Sequence, residues 1–359
     1  MMTKAQIGKA ASEMNNLNLL VIGAGAIGTY IGGSLALGGN RAVFLERPEI
    51  AGQLRERGLR LALMDGQHHI TAPQIAANIE DALALGPFDA ALFAVKSYHT
   101  GRAIAPFKPF ASQLPPFICL QNGVDNEPAL ARHLGDGKVI AGTITSAVGK
   151  PGLGEIVLER LRGVGIANNP AHPSLVTRIV RAMSAAGLNA RLYPRAADMK
   201  WSKLLTNLIA NPTSAILDMT PAEVFAHPGL YRLEIAQLRE ALGVMDALGA
   251  RVVNLPGTPV KALAFAARYL PPSVSRPLLA RAIGKGRGEK MPSFHIDLHG
   301  GGKYSEVGYL HGAVAAHGER VGTAAPVNRF LTETMLGLVQ GDIPLDVFRR
   351  QPEKLLMRM

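Results

Sequence analysis

The sequence predicts an α/β protein in which a doubly wound parallel sheet is followed by an all-helical domain. Up to about residue 193, short apolar runs alternate with segments of helical periodicity, a pattern typical of strands and crossover helices. Beyond that point the patterns are mostly helical. We therefore expect a sheet domain over residues 17–193 and a helical domain over residues 194–359, after a flexible N-terminal extension at residues 1–16.

The composition narrows the functional classes. With 48% hydrophobic and 18% charged residues, the chain of 359 residues is typical of a soluble globular protein with room for two cores. The net charge of +11 suggests nucleic acid as one candidate partner. However, the basic residues are scattered along the chain, and aromatic residues make up only 5% of it. We expect no nucleic acid, and instead an anionic cofactor and an anionic small substrate.

Cysteine content and hydropathy bear on the compartment. The single cysteine, Cys119, excludes an internal disulfide and a multi-cysteine zinc site. Residues 1–16 lack the apolar core of a signal peptide, and the glycine motif explains the apolar run at residues 19–37 better than a membrane span does. We expect a cytoplasmic protein with no membrane partner.

The first element is a strand, turn and helix that fits the dinucleotide-binding fingerprint G-x-G-x-x-G. An apolar strand at residues 19–22 precedes the turn, a helix at residues 27–37 follows it, and a second strand at residues 42–45 comes next. The turn consists of Gly23, Ala24, Gly25, Ala26, Ile27 and Gly28. The three glycines permit the tight turn, the approach of a pyrophosphate and close helix packing, and the helix N-terminus favours the phosphates.

The remaining elements follow in chain order. In the sheet domain we expect a helix at 48–57, a hairpin at 59–63 and 68–72, strands at 89–95, 117–120 and 139–146, helices at 100–111 and 126–133, two short strands within 154–167, a helix at 173–186 and an edge strand at 188–192. In the second domain we expect helices at 197–217, interrupted at Pro212, and at 230–248, 260–269, 274–283, 305–317 and 326–338.

Two loops at strand ends carry candidate cofactor residues, because ligands bind beyond the carboxyl ends of parallel strands. Lys96 directly follows a buried strand, where its ammonium group could reach cofactor phosphate or ribose; the alternative is a solvated lysine. Asn122 lies in an Asn-Gly pair after the next strand, which is a common turn but also a place from which an amide can bind a nicotinamide.

Lys203, Asn207 and Asn211 recur every four residues and therefore share one face of an otherwise apolar predicted helix. Such polar groups need partners, which either a substrate cleft or internal hydrogen bonds would supply. A partly buried lysine is a candidate general acid, since desolvation lowers its pKa.

Near the C-terminus, Ser305 is a candidate N-cap and Glu306 follows it in the first turn of a helix, where a carboxylate also complements the helix dipole. Four histidines, at positions 295, 299, 311 and 317, have no common zinc spacing and no clear carboxylate partner in the sequence. We expect no metal.

These motifs in this order resemble the ketopantoate reductase (2-dehydropantoate 2-reductase) family. They are the glycine fingerprint, Val95-Lys96-Ser97-Tyr98, Gln121-Asn122-Gly123, the segment from Trp201 to Pro212, and Ser305-Glu306-Val307 with Tyr309. The resemblance covers residues 17–338. It implies a Rossmann domain, a helical domain and an active site between them, in which NADPH reduces the 2-oxo acid ketopantoate to (R)-pantoate on the route to pantothenate and coenzyme A.

The resemblance also implies roles for single residues. Lys203 matches the general acid, and Glu306 matches the carboxylate that orients substrate and lysine. Asn207 and Asn211 match substrate-contacting amides, and Ser293 matches a serine near the substrate carboxylate.

On the cofactor side, Lys96 and Asn122 match contacts to the nicotinamide half, and Arg47 matches the residue that meets the 2′-phosphate of NADP. Glu46 precedes Arg47 and stands where an acid would hold the ribose 2′-hydroxyl of NAD, so NAD is the alternative cofactor.

The chain departs from the family pattern around the substrate. Pro221 and Lys290 stand near positions where asparagine is common, Gly308 and His311 replace an Asp and an Asn, and Gly300–Gly302 adds a residue. Alternatives are therefore a reductase of another 2-oxo acid on the same scaffold, or an NADP(H)-binding sensor without turnover. A homodimer is compatible with either.

Overall fold

The computed structural model describes residues 16–287 and 290–359, and of residues 284–287 only the backbone. The predicted extension at residues 1–16 lies outside the described residues, apart from Asn16. The described chain forms two compact units. The first contains residues 16–121, 126–199 and 256–258, and the second contains residues 122–125, 200–255 and 259–359.

The elements up to residue 193 alternate strands and helices, so the predicted α/β class is confirmed. The strands are β1 (Asn18–Ile22), β2 (Arg41–Leu45), β3 (Leu59–Leu63), β4 (Gly66–Ile70), β5 (Gln74–Ala76), β6 (Ala90–Phe93), β7 (Phe117–Cys119), β8 (Val139–Ile144), β9 (Ala147–Gly152), β10 (Glu155–Arg160), β11 (Val164–Ala167) and β12 (Ala190–Tyr193). The helices are α1 (Ala26–Leu37), α2 (Pro48–Arg57), α3 (Ile79–Ala84), α4 (Thr100–Ile104), α5 (Asn126–Leu134) and α6 (Pro173–Ala185), with 3₁₀ helices at Ser97–His99 and Ala105–Phe110.

Eight strands form one sheet in the order β12-β11-β8-β7-β6-β1-β2-β5. All neighbours in it are parallel except β8 and β11. Strand β1 lies between β2 and β6, where the strand order reverses, so its carboxyl end at Ile22 faces the crevice in which such sheets bind ligands.

The sheet is buried on both faces, as its continuous apolar strands predict. Alternate side chains of β1 enter two different hydrophobic clusters, because successive residues of a strand point to opposite faces. Leu19 and Val21 belong to one cluster, and Leu20 and Ile22 to the other.

A second sheet has the order β4-β3-β10-β9. The predicted hairpin is confirmed, with β4 beginning two residues earlier than expected, and β3 and β4 pair from Leu59 with Ile70 to Leu63 with Gly66. Three short or polar elements were not anticipated: β5, β9 and α3. Their three to six residues carry too weak an apolar period to stand out from a loop.

The chain beyond residue 195 is helical throughout its regular elements, as predicted. The helices are α7 (Ala196–Leu208), α8 (Asn211–Leu217), α9 (Pro221–Ala226), α10 (Pro228–Ala247), α11 (Val260–Tyr269), α12 (Pro272–Arg287), α13 (Ser293–His299), α14 (Val307–Val321), α15 (Pro326–Gln340) and α16 (Pro352–Leu356). The short helices α9, α13 and α16 were not anticipated. Within the described ranges, no helix has both the length and the apolar character needed to cross a bilayer.

Among the predicted helix boundaries that differ from the structure, two concern candidate site residues. The break between α7 and α8 falls at Ala210, which has a left-handed φ of 51°, whereas Pro212 lies in the first turn of α8. A proline fits that position because its missing N–H has no helical partner there. Helix α14 begins at Val307, so Glu306 occupies its N-cap position, and the Ser305 hydroxyl accepts the Val307 N–H at 3.1 Å.

Candidate active site

The turn after β1 excludes side chains at two of its three glycines. Gly23 has a φ of +93°, in the region that favours glycine. A Cβ on Gly28 would lie 1.8 Å from the Gly23 carbonyl oxygen, a distance that no side chain tolerates. At Gly25, a Cβ would meet no atom within 4 Å, so the backbone there is open to a ligand.

Helix α1 begins at this turn. Its N-cap is Gly25, no side chain caps it, and its first turn contains no acidic residue. The N–H groups and the positive dipole end of such a terminus attract an anion. The open backbone at Gly25 and the constraints at Gly23 and Gly28 therefore fit a dinucleotide pyrophosphate.

Glu46 follows β2 and turns back to the glycine turn. One carboxylate oxygen accepts the Ala24 N–H at 2.7 Å, and the other accepts the Arg47 N–H at 3.2 Å. The sequence placed an acid here for a ribose hydroxyl but did not anticipate its bond to the turn. Glu46 thus stabilises the turn as well as standing where a ribose would bind.

Arg47 is exposed and precedes α2. The pKa of the nearby His99 imidazole is lowered, mainly because the ring is partly buried. The positive charges of Arg102 and Arg47 lower it further, in that order. Two guanidinium groups therefore generate a positive field around His99, which suits a phosphate.

The Lys96 loop is held by a glutamine that the sequence reasoning did not single out. Lys96 is exposed and precedes the 3₁₀ helix Ser97–His99. The buried Gln121 amide donates to the Val95 carbonyl at 3.0 Å and to the Thr100 hydroxyl at 2.8 Å. Gln121 therefore fixes the backbone on both sides of Lys96. The signal was a glutamine directly after a buried strand, where a buried amide needs partners.

Asn122 belongs to the second unit, with residues 122–125. Its side-chain oxygen accepts a hydrogen bond from the Asn207 amide at 3.2 Å, so the structure brings these two predicted site residues together. Asp125 lies 2.7 Å from Nε2 of His317, whose ring meets that of Trp201 edge-on at 5.2 Å. These contacts hold the segment within the second unit.

Lys203 and Glu306 lie in the second unit on different elements. Lys203 is half-buried on α7, and Glu306 is 4% exposed at the start of α14. A carboxylate this deeply buried is costly without partners, so Glu306 is not a merely solvated N-terminal acid.

Asn211 does not continue the helix face of Lys203 and Asn207, because the break at Ala210 precedes it. Its amide nitrogen donates to the Asn207 carbonyl at 3.1 Å, and its oxygen accepts the Phe294 N–H at 3.2 Å. The exposed Ser293 begins α13, next to Phe294. Asn211 thus connects the end of α7 to the residue that follows Ser293.

A second residue missed from the sequence, Glu234, fixes the break. This fully buried carboxylate accepts the Ala210 N–H at 2.7 Å, the Thr213 hydroxyl at 2.6 Å and the Gln237 amide at 2.6 Å. Glu234 and Gln237 are polar residues three apart on a buried face of α10, which was the available signal.

The expectation that the histidines lack carboxylate partners is wrong. Nε2 of His295 lies 2.7 Å from Asp218, and Nε2 of His317 lies 2.7 Å from Asp125. These partners are 77 and 192 residues away in sequence, a separation at which sequence spacing gives no signal.

Two family models match most of the chain. The model described as Ketopantoate reductase PanE/ApbA matches residues 19–170, and its C-terminal counterpart matches residues 195–338. The chain belongs to the ketopantoate reductase family. It is therefore an oxidoreductase of the 2-dehydropantoate 2-reductase type, and the resemblance read from the motifs is confirmed.

Two curated relatives named 2-dehydropantoate 2-reductase support this assignment. A 2-dehydropantoate 2-reductase of Halobacterium salinarum is 29% identical over 337 residues, 91% of this chain and 100% of the relative. One of Archaeoglobus fulgidus is 28% identical over 327 residues, 89% of this chain and 96% of the relative.

Two solved structures share the fold. A PanE/ApbA family ketopantoate reductase from Ralstonia eutropha superposes with a TM-score of 0.74 at 24% identity, covering 90% of this chain and 99% of the other. D-mandelate dehydrogenase, solved with NADH and anilino(oxo)acetate, superposes with a TM-score of 0.72 at 19% identity and the same coverage.

Two departures from the ketopantoate reductase pattern lie in packed regions of this family member. Pro221 is buried at the start of α9, and a capping box formed by Thr220 and Glu223 caps the N-terminus of this helix. His311 is buried on α14, its Nε2 lies 2.9 Å from the Gln237 side-chain oxygen, and burial lowers the pKa of its imidazole to about 3. Gly308 and Lys290 are exposed.

Proposed function

We propose that this chain reduces a 2-oxo acid to the corresponding 2-hydroxy acid with NADPH, with ketopantoate the first candidate and (R)-pantoate its product. The observation that carries the proposal is the presence of a half-buried Lys203 and a buried Glu306 in the second unit of a chain whose first unit has a dinucleotide turn. Residues 17–193 would bind the cofactor and residues 194–359 the substrate. We place the reaction in the cytoplasm, where the buried single cysteine stays reduced.

The acid–base step belongs to Lys203. When bound, the reduced nicotinamide supplies a hydride to the carbonyl carbon of the substrate. The Lys203 ammonium group donates a proton to the carbonyl oxygen as negative charge develops there, and its partial burial strengthens that electrostatic effect. Glu306 would orient Lys203 and the substrate.

The amides and the serine hold the rest of the substrate. Asn207 is half-buried and engaged with Asn122, so one asparagine pair would contact substrate and nicotinamide. Ser293 is exposed and its hydroxyl would bind the substrate carboxylate. Asn211 would contribute to substrate binding by its hydrogen bonds to the Asn207 carbonyl and to the Phe294 N–H at the start of α13, which hold both segments in place. Such positioning supplies orientation, which is worth a large part of a barrier.

The charge around the adenosine end favours NADPH. Arg47 is exposed, and Arg102 and His99 lie in the same positive field. Glu46 is already engaged by the Ala24 and Arg47 N–H groups, which reduces its repulsion of a 2′-phosphate. The family resemblance gives the same preference, and Lys96 would contact the nicotinamide half.

A second candidate is a reductase for a different, bulkier 2-oxo acid. D-mandelate dehydrogenase has the same fold, and it was solved with anilino(oxo)acetate, an aromatic oxo acid derivative. In this chain, Pro221 and His311 are built into the packing, and neither offers the amide that the ketopantoate reductase pattern would place there. The substrate-selecting residues therefore differ while Lys203 and Glu306 are retained.

The test is cofactor oxidation followed by absorbance, with ketopantoate and a panel of branched and aromatic 2-oxo acids, each with NADPH and with NADH. Saturable oxidation of NADPH with ketopantoate supports the first candidate. Activity only with another 2-oxo acid supports the second. Tight NADPH binding with no oxidation across the panel would contradict both and favour a nucleotide sensor.

A further inference from the structure

Three side chains outside the proposed active site converge at the ends of two short helices. Asp218 follows the last residue of α8, and His295 and His299 lie four residues apart on α13. One ligand atom from each of the three side chains lies within 4.8 Å of the other two. Among the described residues, no other group of three such side chains meets this criterion.

The two imidazoles face the same way, as residues at i and i+4 on a helix do. Their rings are nearly parallel, 26° apart, with centroids 4.2 Å from each other. Nε2 of His295 lies 2.7 Å from one Asp218 carboxylate oxygen. Asp218 and His295 are half-buried, and His299 is exposed, so a hydrated ion can reach the cluster.

Surrounding groups hold two of the three side chains in place. Nε2 of His299 lies 3.0 Å from the Ala215 carbonyl oxygen, which accepts its N–H. The ring proton is therefore on Nε2, and Nδ1 carries the lone pair. Protein metal ligands commonly have this arrangement, in which the second ring nitrogen donates to a carbonyl.

The carboxylate is kept ionised. The hydrogen bond from His295, together with the charge of Arg349, holds the pKa of Asp218 below its ordinary value. Arg349 Nε lies 3.1 Å from the second Asp218 oxygen and fixes that side of the group. The first oxygen, which faces His295, remains the one for coordination.

We propose that Asp218, His295 and His299 bind one divalent ion of the zinc class. Two imidazoles and a carboxylate are ligands that zinc accepts, and three protein ligands leave a position for water. Metals that prefer thiolate ligands, such as Cu(I), are disfavoured because none of the three side chains contains sulfur. On binding, the ion replaces the hydrogen bond between His295 and Asp218, and the neutral His295 ring carries its proton on Nδ1.

The ion would join α13 to the C-terminal end of α8. Ser293 begins α13 and Asn211 begins α8, so metal binding would stabilise the helices that carry two residues of the proposed substrate site. An ion that binds the folded state and not the unfolded state raises the free energy of unfolding with its concentration. This inference concerns metal binding alone, and its test does not depend on reductase activity.

The experiment uses untagged full-length protein freed of metal by a chelator. Co²⁺ titration should give a visible absorption band of a nitrogen- and oxygen-ligated ion at one equivalent, and Zn²⁺ should displace it. Calorimetric Zn²⁺ titration of His299→Ala and Asp218→Asn should show dissociation constants raised about tenfold or more. Asp218→Asn is a suitable variant because asparagine tolerates the left-handed backbone at this position.

His68→Ala is the matched control. His68 lies 2.9 Å from Asp65, much like the His295 pair, but the described residues give it no third ligand. This variant should bind Zn²⁺ as the unaltered protein does. No saturable binding, or binding that His299→Ala and Asp218→Asn leave unchanged in folded protein, would overturn the proposal and leave the cluster as an ion-pair network with Arg349.

Discussion

At the scale of single residues, the proposed function assigns the acid–base step to Lys203 and places this lysine on the substrate side. Lys203→Ala should lower kcat by about 10²- to 10⁴-fold, the usual contribution of a positioned acid. The dissociation constant for NADPH, measured by fluorescence titration, should stay nearly unchanged because the dinucleotide turn lies on β1 and α1.

Lys261→Ala, which removes an exposed lysine from α11 in the same unit, is the control and should leave both quantities unaltered. A large loss of NADPH affinity in a folded Lys203→Ala variant would contradict the assigned role.

Two glycines of the fingerprint should separate cofactor binding from folding. Gly25→Ala places a methyl group in open space and should weaken NADPH binding about tenfold or more, while the free energy of unfolding changes by less than about 0.5 kcal/mol. In Gly28→Ala, the added methyl group would clash with the Gly23 carbonyl oxygen. This variant should therefore lose both NADPH affinity and stability.

Gly52→Ala in the interior of α2 also meets open space and serves as the control, with unchanged NADPH affinity and slightly raised stability. Titration and urea unfolding give the two quantities. Unchanged NADPH affinity in Gly25→Ala would mean that the pyrophosphate does not approach that backbone.

At the scale of elements, the break between α7 and α8 depends on Glu234. Glu234→Ala leaves the Ala210 N–H, the Thr213 hydroxyl and the Gln237 amide without their acceptor, so we expect a loss of about 3 kcal/mol in the free energy of unfolding. We also expect a raised KM for the 2-oxo acid, because Asn207 and Asn211 flank the break.

Glu333→Ala, on an exposed position of α15, is the control and should change stability by less than about 0.5 kcal/mol. If Glu234→Ala lost stability with an unchanged KM, Glu234 would be structural only and would not position the substrate site.

Some elements of the fold could be predicted from the sequence more fully than others. Buried strands such as β1 and β8, and long helices such as α10, were predictable because their apolar patterns are strong and local. The break at Ala210 was not, since a distant carboxylate on α10 accepts its N–H, and nothing near Pro212 signals that contact. The candidate site residues followed from motifs, whereas Gln121 and Glu234, whose hydrogen bonds fix the backbone near those residues, required the tertiary structure.

At the scale of the whole molecule, stability should depend on pH through His311. Its imidazole titrates near 6.5 in an unfolded chain and near 3 in the buried site. Between these values the unfolded state binds the extra proton, so the free energy of unfolding falls as pH decreases, by about 1.4 kcal/mol per pH unit. Above about pH 6.5 the histidine is neutral in both states and adds no slope.

Urea unfolding between about pH 6 and pH 5 tests this, because most carboxylates remain ionised there. His311→Gln should unfold with a shallower pH dependence, and the exposed His133→Gln should retain that of the unaltered chain. Equal slopes in all three proteins would show that His311 takes up its proton in the folded state.

The two units of the molecule are interleaved along the chain, with five changes of unit between residues 121 and 259. Residues 256–258 return to the first unit, where the Pro256 carbonyl accepts the Thr145 hydroxyl at 2.9 Å. A gene cut after residue 193 would thus give an N-terminal fragment that lacks Pro256 and a C-terminal fragment that lacks Asn122. A recombination event with a single crossover could therefore not exchange either unit between relatives as a whole, because each unit consists of three separate chain segments.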